Sequence, residues 1–126
     1  MVIKESGENY LEAILAIKKE KGSVRSIDIS NNLAVSKASV SVAMKAFKEE
    51  GYVEIDESGQ ITLTPKGVGV ASRIYERHVI IARALIALGV SEKTANEDSC
   101  KIEHGLSDET FQKLKEHILL HVKKVM

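Results

Sequence analysis

The sequence predicts a mainly α-helical chain with one small two-stranded hairpin lodged after its third helix. Three observations carry that prediction. The 126 residues contain one Pro and 8 Gly, so little interrupts regular structure. Apolar residues recur at spacings of three and four along most of the chain. Alternation with a period of two occurs only between Tyr52 and Thr64.

Taken in order, residues 7–20 (GENYLEAILAIKKE) place Tyr10, Leu11, Ile14, Leu15 and Ile17 on one stripe of an amphipathic helix that stops near Gly22. Asn9 and Glu12 lie three apart beside that stripe and, taken alone, read as surface residues. Ser26 is the expected N-cap of a second helix running through Ile27, Ile29 and Leu33. After the short break Ala34-Val35-Ser36, Ser36 caps a third helix from Lys37 to Glu50, closed by Gly51 at C′. Two short helices joined by a tight turn, the second capped by Ser, form a helix-turn-helix pattern.

On the third helix Val40, Ala43, Met44 and Phe47 make the buried stripe, leaving Lys37, Ala38, Ser39 and Ser41 outward. From Ser36 to Lys48 there are three lysines and no acids. Such a face suits phosphates and base edges in a major groove, although an ordinary solvated face has the same composition. The strands Tyr52–Asp56 and Gln60–Thr64, joined by Glu57-Ser58-Gly59, make the hairpin. A hairpin directly after a recognition-like helix is a wing, so residues 1–66 read as a winged helix-turn-helix domain of three helices plus a β-hairpin. Its tip is acidic (Asp56, Glu57), which weakens it as a DNA contact but not as a structural element.

Thr64 and Pro65 occupy the N-cap and N1 positions of a new helix that persists to Gly89. A further helix runs from Glu92 to about His104. Leu106-Ser107 opens a last one, Asp108 to Lys124, with Leu114, Ile118 and Val122 as its stripe. Residues 67–126 therefore read as a helical lobe.

Cys100, Glu103 and His104 stand at i, i+3 and i+4, the spacing of one helix face, and offer a thiolate, a carboxylate and an imidazole. Three ligands from one helix do not close a site. Asn9, Glu12 and His78 are the candidate partners, though His78 alone reads as a packed or surface residue. His117 and His121 have zinc-like spacing but no third donor, and read as exposed. There is no HExxH, no second Cys, no nucleophile motif and no phosphate loop, so an enzyme is not expected. Lys plus Arg and Asp plus Glu both number 18, which leaves any nucleic-acid partner to local charge and also admits a helical interaction module. A single Cys fits a reducing compartment. With no apolar run of about 20 residues and no signal core, a cytoplasmic protein without a membrane partner is expected.

Five dispersed segments now coincide with one family: ENYLEAI at Glu8–Ile14, AVSKASVSVAMKAFKEEGYV at Ala34–Val53, LTPKG at Leu63–Gly67, Arg77-His78, and EDSCKIEH at Glu97–His104. In these the chain resembles the diphtheria-toxin-repressor family of metal-dependent transcriptional regulators, iron-dependent repressors and manganese transport regulators among them. The resemblance implies a metal-dependent regulator, expected to repress metal-homeostasis genes, whose helical lobe dimerises and whose divalent ion locks a homodimer onto double-stranded operator DNA. No small-molecule substrate is implied. Carried over residue by residue, the principal metal site would use Asn9, Cys100, Glu103 and His104. A neighbouring site would draw on Glu12 and His78, sharing Cys100 or Glu103.

There are departures. The position of Asn9 holds Met in iron-type members and Asp in manganese-type ones. Ala82 and Asn96 stand where iron-type members have the Glu and His of an ancillary site, and the two-domain form without the SH3-like third domain is expected. A thiolate ligand directs selectivity to a late divalent metal, with Fe(II) favoured over Mn(II), Co(II), Ni(II) and Zn(II). Arg25, Ser36, Lys37, Ala38, Ser39 and Ser41 are the expected DNA-facing residues, Arg25 toward phosphate. The alternative is a winged helix-turn-helix regulator whose metal site has degenerated and no longer responds to metal.

Overall fold

The computed structural model describes residues 3–121 and has the order α1 (Glu5–Lys21), α2 (Ser26–Leu33), α3 (Lys37–Glu49), β1 (Val53–Ile55), β2 (Ile61–Leu63), α4 (Pro65–Ala87), α5 (Glu92–Ile102) and α6 (Asp108–His121). The chain divides into two compact units, residues 1–73 and 74–126, with α4 contributing to both.

In the first unit α1 to α3 and the hairpin enclose a core of Leu11, Ile14, Ile17, Val24, Ile29, Val40, Met44, Phe47, Val53 and Ile61. α1 stops where Gly22 turns left-handed (φ 86°) and its N–H reaches Lys18 O. The α2–α3 turn needs a left-handed residue too, and here it is Ala34 (φ 55°), at a cost of about 1–2 kcal/mol. Ser30 offsets that cost, since its Oγ donates to Val35 O at 2.6 Å. The N-cap of α2 is Arg25, one residue before the expected Ser26, because Asp28 at N3 accepts the Arg25 N–H at 2.9 Å. Ser36 caps α3 as expected, accepting from Ser39 N at 3.1 Å.

The strands pair antiparallel in the register Val53 with Leu63 and Ile55 with Ile61, one residue shorter at each end than the alternation suggested. Asp56 Oδ1 accepts from Ser58 N (2.9 Å), Ser58 Oγ (2.7 Å) and Gln60 N (2.9 Å), so this wing acid is committed to building the turn. Those bonds hold its carboxyl below the usual carboxylate range. Thr64 Oγ1 caps α4 by accepting from Gly67 N (3.2 Å) while donating to Gly51 O (2.6 Å). Gly67 passes so close to Tyr52 that a Cβ there would sit 2.1 Å from the Tyr52 carbonyl oxygen.

In the second unit Ile80, Phe111 and Ile118 form a small core between α4 and α6, joined by Ala84 and Leu114. Val122 and Lys124 lie outside the described residues. α5 ends at Ile102 rather than His104. Glu103 keeps α-helical angles as its C-cap (φ −59°, ψ −28°), and His104 falls in the following turn. Buried Arg77 holds that turn: its Nη1 donates to Glu103 O (3.0 Å) and Leu106 O (2.6 Å), and its Nη2 to Asp108 Oδ1 (2.6 Å). At the helix end Gly105 N donates to Ile102 O at 3.0 Å, a tighter turn than the helix, and Arg77 braces the carbonyls beyond it.

Candidate metal centre and nucleic-acid face

The Cys100 and Glu103 side chains keep their common face because Glu103 is still α-helical. α4 then brings His78 against them. Nδ1 of His78 lies 2.9 Å from Glu103 Oε2 and 3.7 Å from Cys100 Sγ, and the three potential donor atoms all fall within 4.8 Å of one another. Donor atoms about 2.0–2.3 Å from a shared ion are separated by about 3–4 Å, so a small inward movement of the three would supply three corners of a tetrahedral or octahedral shell. Cys100 is exposed at its rim and Glu103 is wholly buried at its base.

Glu103 Oε1 is buried with no hydrogen-bond partner among the described residues. His104 Nε2 stands 3.4 Å from it, within ion-pair reach but without hydrogen-bond geometry. A buried carboxylate oxygen left so costs on the order of 1–3 kcal/mol or more, and a cation at this spot would remove that cost. The imidazole, thiol and carboxyl together fit a late divalent ion. In their own hydrogen bonding the Cys100 thiol and the Glu103 carboxylate push the His78 imidazolium up to about 11, against a burial that favours the neutral ring. His78 thus carries the positive charge that balances Glu103.

The surroundings fix this cluster. Ser99 Oγ donates to His78 O at 2.8 Å, locking α5 onto α4. Asn96 Oδ1 lies 3.0 Å from His78 Nε2, and Asn96 Nδ2 donates to Glu92 O at 2.9 Å. Arg77 secures the main chain of Glu103 itself. Sequence reasoning missed Arg77 and Ser99 and weighed Asn96 only as a lost ligand. Asn9 and Glu12 lie half-buried on α1 in the first unit. His117 and His121 are exposed on α6, their rings 4.5 Å apart.

On the first unit Ser36, Lys37, Ala38, Ser39 and Ser41 are all exposed at the start of α3. Val42, which the sequence reading passed over, is 72% exposed among them. An outward Val on a face of hydroxyls and lysine offers apolar contact of the kind a thymine methyl accepts. Arg25 is exposed but engaged, its Nη1 donating to Ser58 O, so it ties the start of α2 to the wing turn.

Residues 3–60 match the iron dependent repressor N-terminal DNA binding domain, and residues 64–121 the iron dependent repressor metal binding and dimerisation domain. The chain is 37% identical over 115 residues to an uncharacterised HTH-type transcriptional regulator of Methanocaldococcus jannaschii, covering 90% of this chain and 92% of the relative. It is 33% identical over 108 residues to the transcriptional regulator MntR of Salmonella typhimurium, covering 86% and 69%. Among solved structures, that of T. acidophilum IdeR superposes with a TM-score of 0.80 at 29% identity, covering 88% of this chain and 53% of that one. The manganese regulator SloR gives 0.77 at 26%, covering 94% and 55%. The chain therefore spans about half the length of these two solved relatives. Among the described residues no helix is long and apolar enough to cross a membrane.

Proposed function

The chain belongs to the iron-dependent repressor family, and from that premise we propose that it is a metal-responsive transcriptional repressor in which His78, Cys100 and Glu103 hold a divalent transition ion. The observation that carries this reading is the buried Glu103 carboxylate, whose Oε2 meets His78 Nδ1 at 2.9 Å in the cluster with Cys100 while its Oε1 has no hydrogen-bond partner among the described residues. On the sequence resemblance alone, His104, Asn9 and Glu12 complete the ligand set. The thiolate and imidazole favour Fe(II) over Mn(II), with Co(II), Ni(II) and Zn(II) as further candidates.

When bound, the ion supplies the positive charge that the His78 proton supplies in its absence. Each residue then has a distinct part. Glu103 contributes a fixed, fully desolvated carboxylate, held by Arg77 through its main chain. His78 would offer Nδ1 and Cys100 its sulfur at the exposed rim. Within the winged domain (residues 1–66), Ser36, Lys37, Ala38, Ser39 and Ser41 face operator DNA in the major groove, and Arg25 contacts phosphate beside the wing. The helical domain (residues 67–126) pairs two copies, so that two α3 helices meet successive grooves roughly 34 Å apart or a multiple of it. The ion favours that state only by its differential affinity for it. Such a regulator works in the cytoplasm, where its operator lies, and has no membrane partner.

The test is a gel shift on DNA upstream of its own gene, with metal and with chelator, for the wild type and Glu103→Ala. A metal-dependent shift lost in Glu103→Ala is expected, and a wild-type metal response in that variant contradicts the site. The uncharged Asn9 favours a second reading, a winged helix whose DNA binding ignores metal. A shift of equal strength in chelator would establish it.

A further inference from the structure

Asn96 stands one helical turn before Cys100 on α5 and faces the far side of the His78 ring from Glu103. Its amide has only one workable orientation. Nδ2 donates to the Glu92 carbonyl oxygen at 2.9 Å, and turning the amide over would set two oxygen acceptors against each other. Oδ1 must therefore be the atom 3.0 Å from His78 Nε2, and Oδ1 can only accept. We infer that Asn96 is a positioning residue that keeps the proton on His78 Nε2, so that Nδ1 is the atom His78 offers to the metal.

This rests on the reading of His78 as a ligand. Nδ1 already faces the Glu103 carboxylate (2.9 Å) and the Cys100 sulfur (3.7 Å), whereas Nε2 points at an amide oxygen that has no proton to share. Loss of the Nε2 proton would set two lone pairs 3.0 Å apart; loss of the Nδ1 proton opens a lone pair toward two other donors. Ser99, by donating to the His78 carbonyl at 2.8 Å, pins the helix that presents the ring, and a ring flip would break the Asn96 bond. Outer partners of this kind fix both the tautomer and the orientation of a ligating histidine. The Asn that replaces an ancillary ligand histidine of iron-type relatives therefore keeps a part in the centre, as a support for His78.

The experiment is long-range proton–nitrogen NMR on the uniformly labelled full chain, free and loaded with Zn(II), with the His78 ring identified by its loss in His78→Gln. Zn(II) should move the Nδ1 resonance and leave Nε2 protonated. Asn96→Ala should bind Zn(II) about 10–100-fold more weakly. Asn96→Asp, which keeps the acceptor, should recover most of that loss. Zn(II) on Nε2 in the wild type overturns the inference while leaving His78 a ligand. Unchanged affinity in Asn96→Ala overturns it too. If Zn(II) shifts neither ring nitrogen, His78 is no ligand, and the reading beneath the inference falls with it.

Discussion

Replacing Arg77 with Met removes the group that ties α4 to the turn carrying Glu103 and to the start of α6. The Arg77 side chain is 3% exposed, and three of its bonds are lost. Bonds from a charged donor to the Glu103 and Leu106 carbonyls contribute about 1.5–3 kcal/mol each. Water can take over part of the Leu106 share, because that contact is only partly buried. The arm to Asp108 ends on a carboxylate that is 84% exposed, and it adds at most about 1 kcal/mol. Arg77→Met should therefore lower the stability of the metal-free protein by about 3–5 kcal/mol, and Asp108→Ala by no more than about 1 kcal/mol. Urea unfolding followed by circular dichroism measures both in matched buffers. A loss below about 1 kcal/mol for Arg77→Met would refute the assignment of the turn to Arg77.

The pH dependence has a definite sign. The folded-state pKa of His78 is raised from 6.5 to about 11, so its stabilising contribution is complete below pH 6.5 and is lost as the pH rises toward 11. Metal-free wild type should lose its stability advantage over His78→Gln between pH 6.5 and 9 in urea melts; a constant difference would exclude the charged His78–Glu103 pair. Metal affinity should move the other way across the same window, rising up to tenfold per pH unit for this one displaced proton. Gly67→Ala should destabilise the first unit by about 2–4 kcal/mol, because the new methyl meets Tyr52 backbone at 2.1 Å; a thermal melt that is unchanged would contradict the packing. Lys37→Ala should weaken binding to all DNA sequences and reduce the salt-dependence slope by about 1, as read by fluorescence anisotropy at several salt concentrations.

The elements that sequence reading placed well are those written in local signals. Ser36 ahead of α3, Gly51 after it, and Thr64-Pro65 at the start of α4 each act within four residues of themselves, and all stand where expected. α5 ends two residues before the expected His104, where Gly105 N turns back to Ile102 O and a side chain from outside the helix braces the turn. Arg77, 26 residues upstream, takes the Glu103 carbonyl, and an arginine on an amphipathic helix reads as surface until its partners are known. The one-residue shift of the α2 cap comes from Asp28, whose Oδ2 accepts the Arg25 N–H at 2.9 Å. The Cys100–Glu103 pairing followed from helical spacing, whereas the arrival of His78 beside them depends on how α4 packs on α5. The wing acids were weighed as poor DNA contacts; three bonds to Asp56 show that one of them is there to make the turn.

Metal-free protein and a labelled fragment of its own upstream DNA are mixed, and Co(II) is added while the thiolate-to-metal absorption and the DNA anisotropy are read together. Both signals should rise in step for the wild type, and Cys100→Ser should abolish the absorption band and weaken the response. DNA bound equally well before any Co(II) is added, or bound in step with Co(II) while no thiolate band develops, would contradict metal-dependent DNA binding through this site.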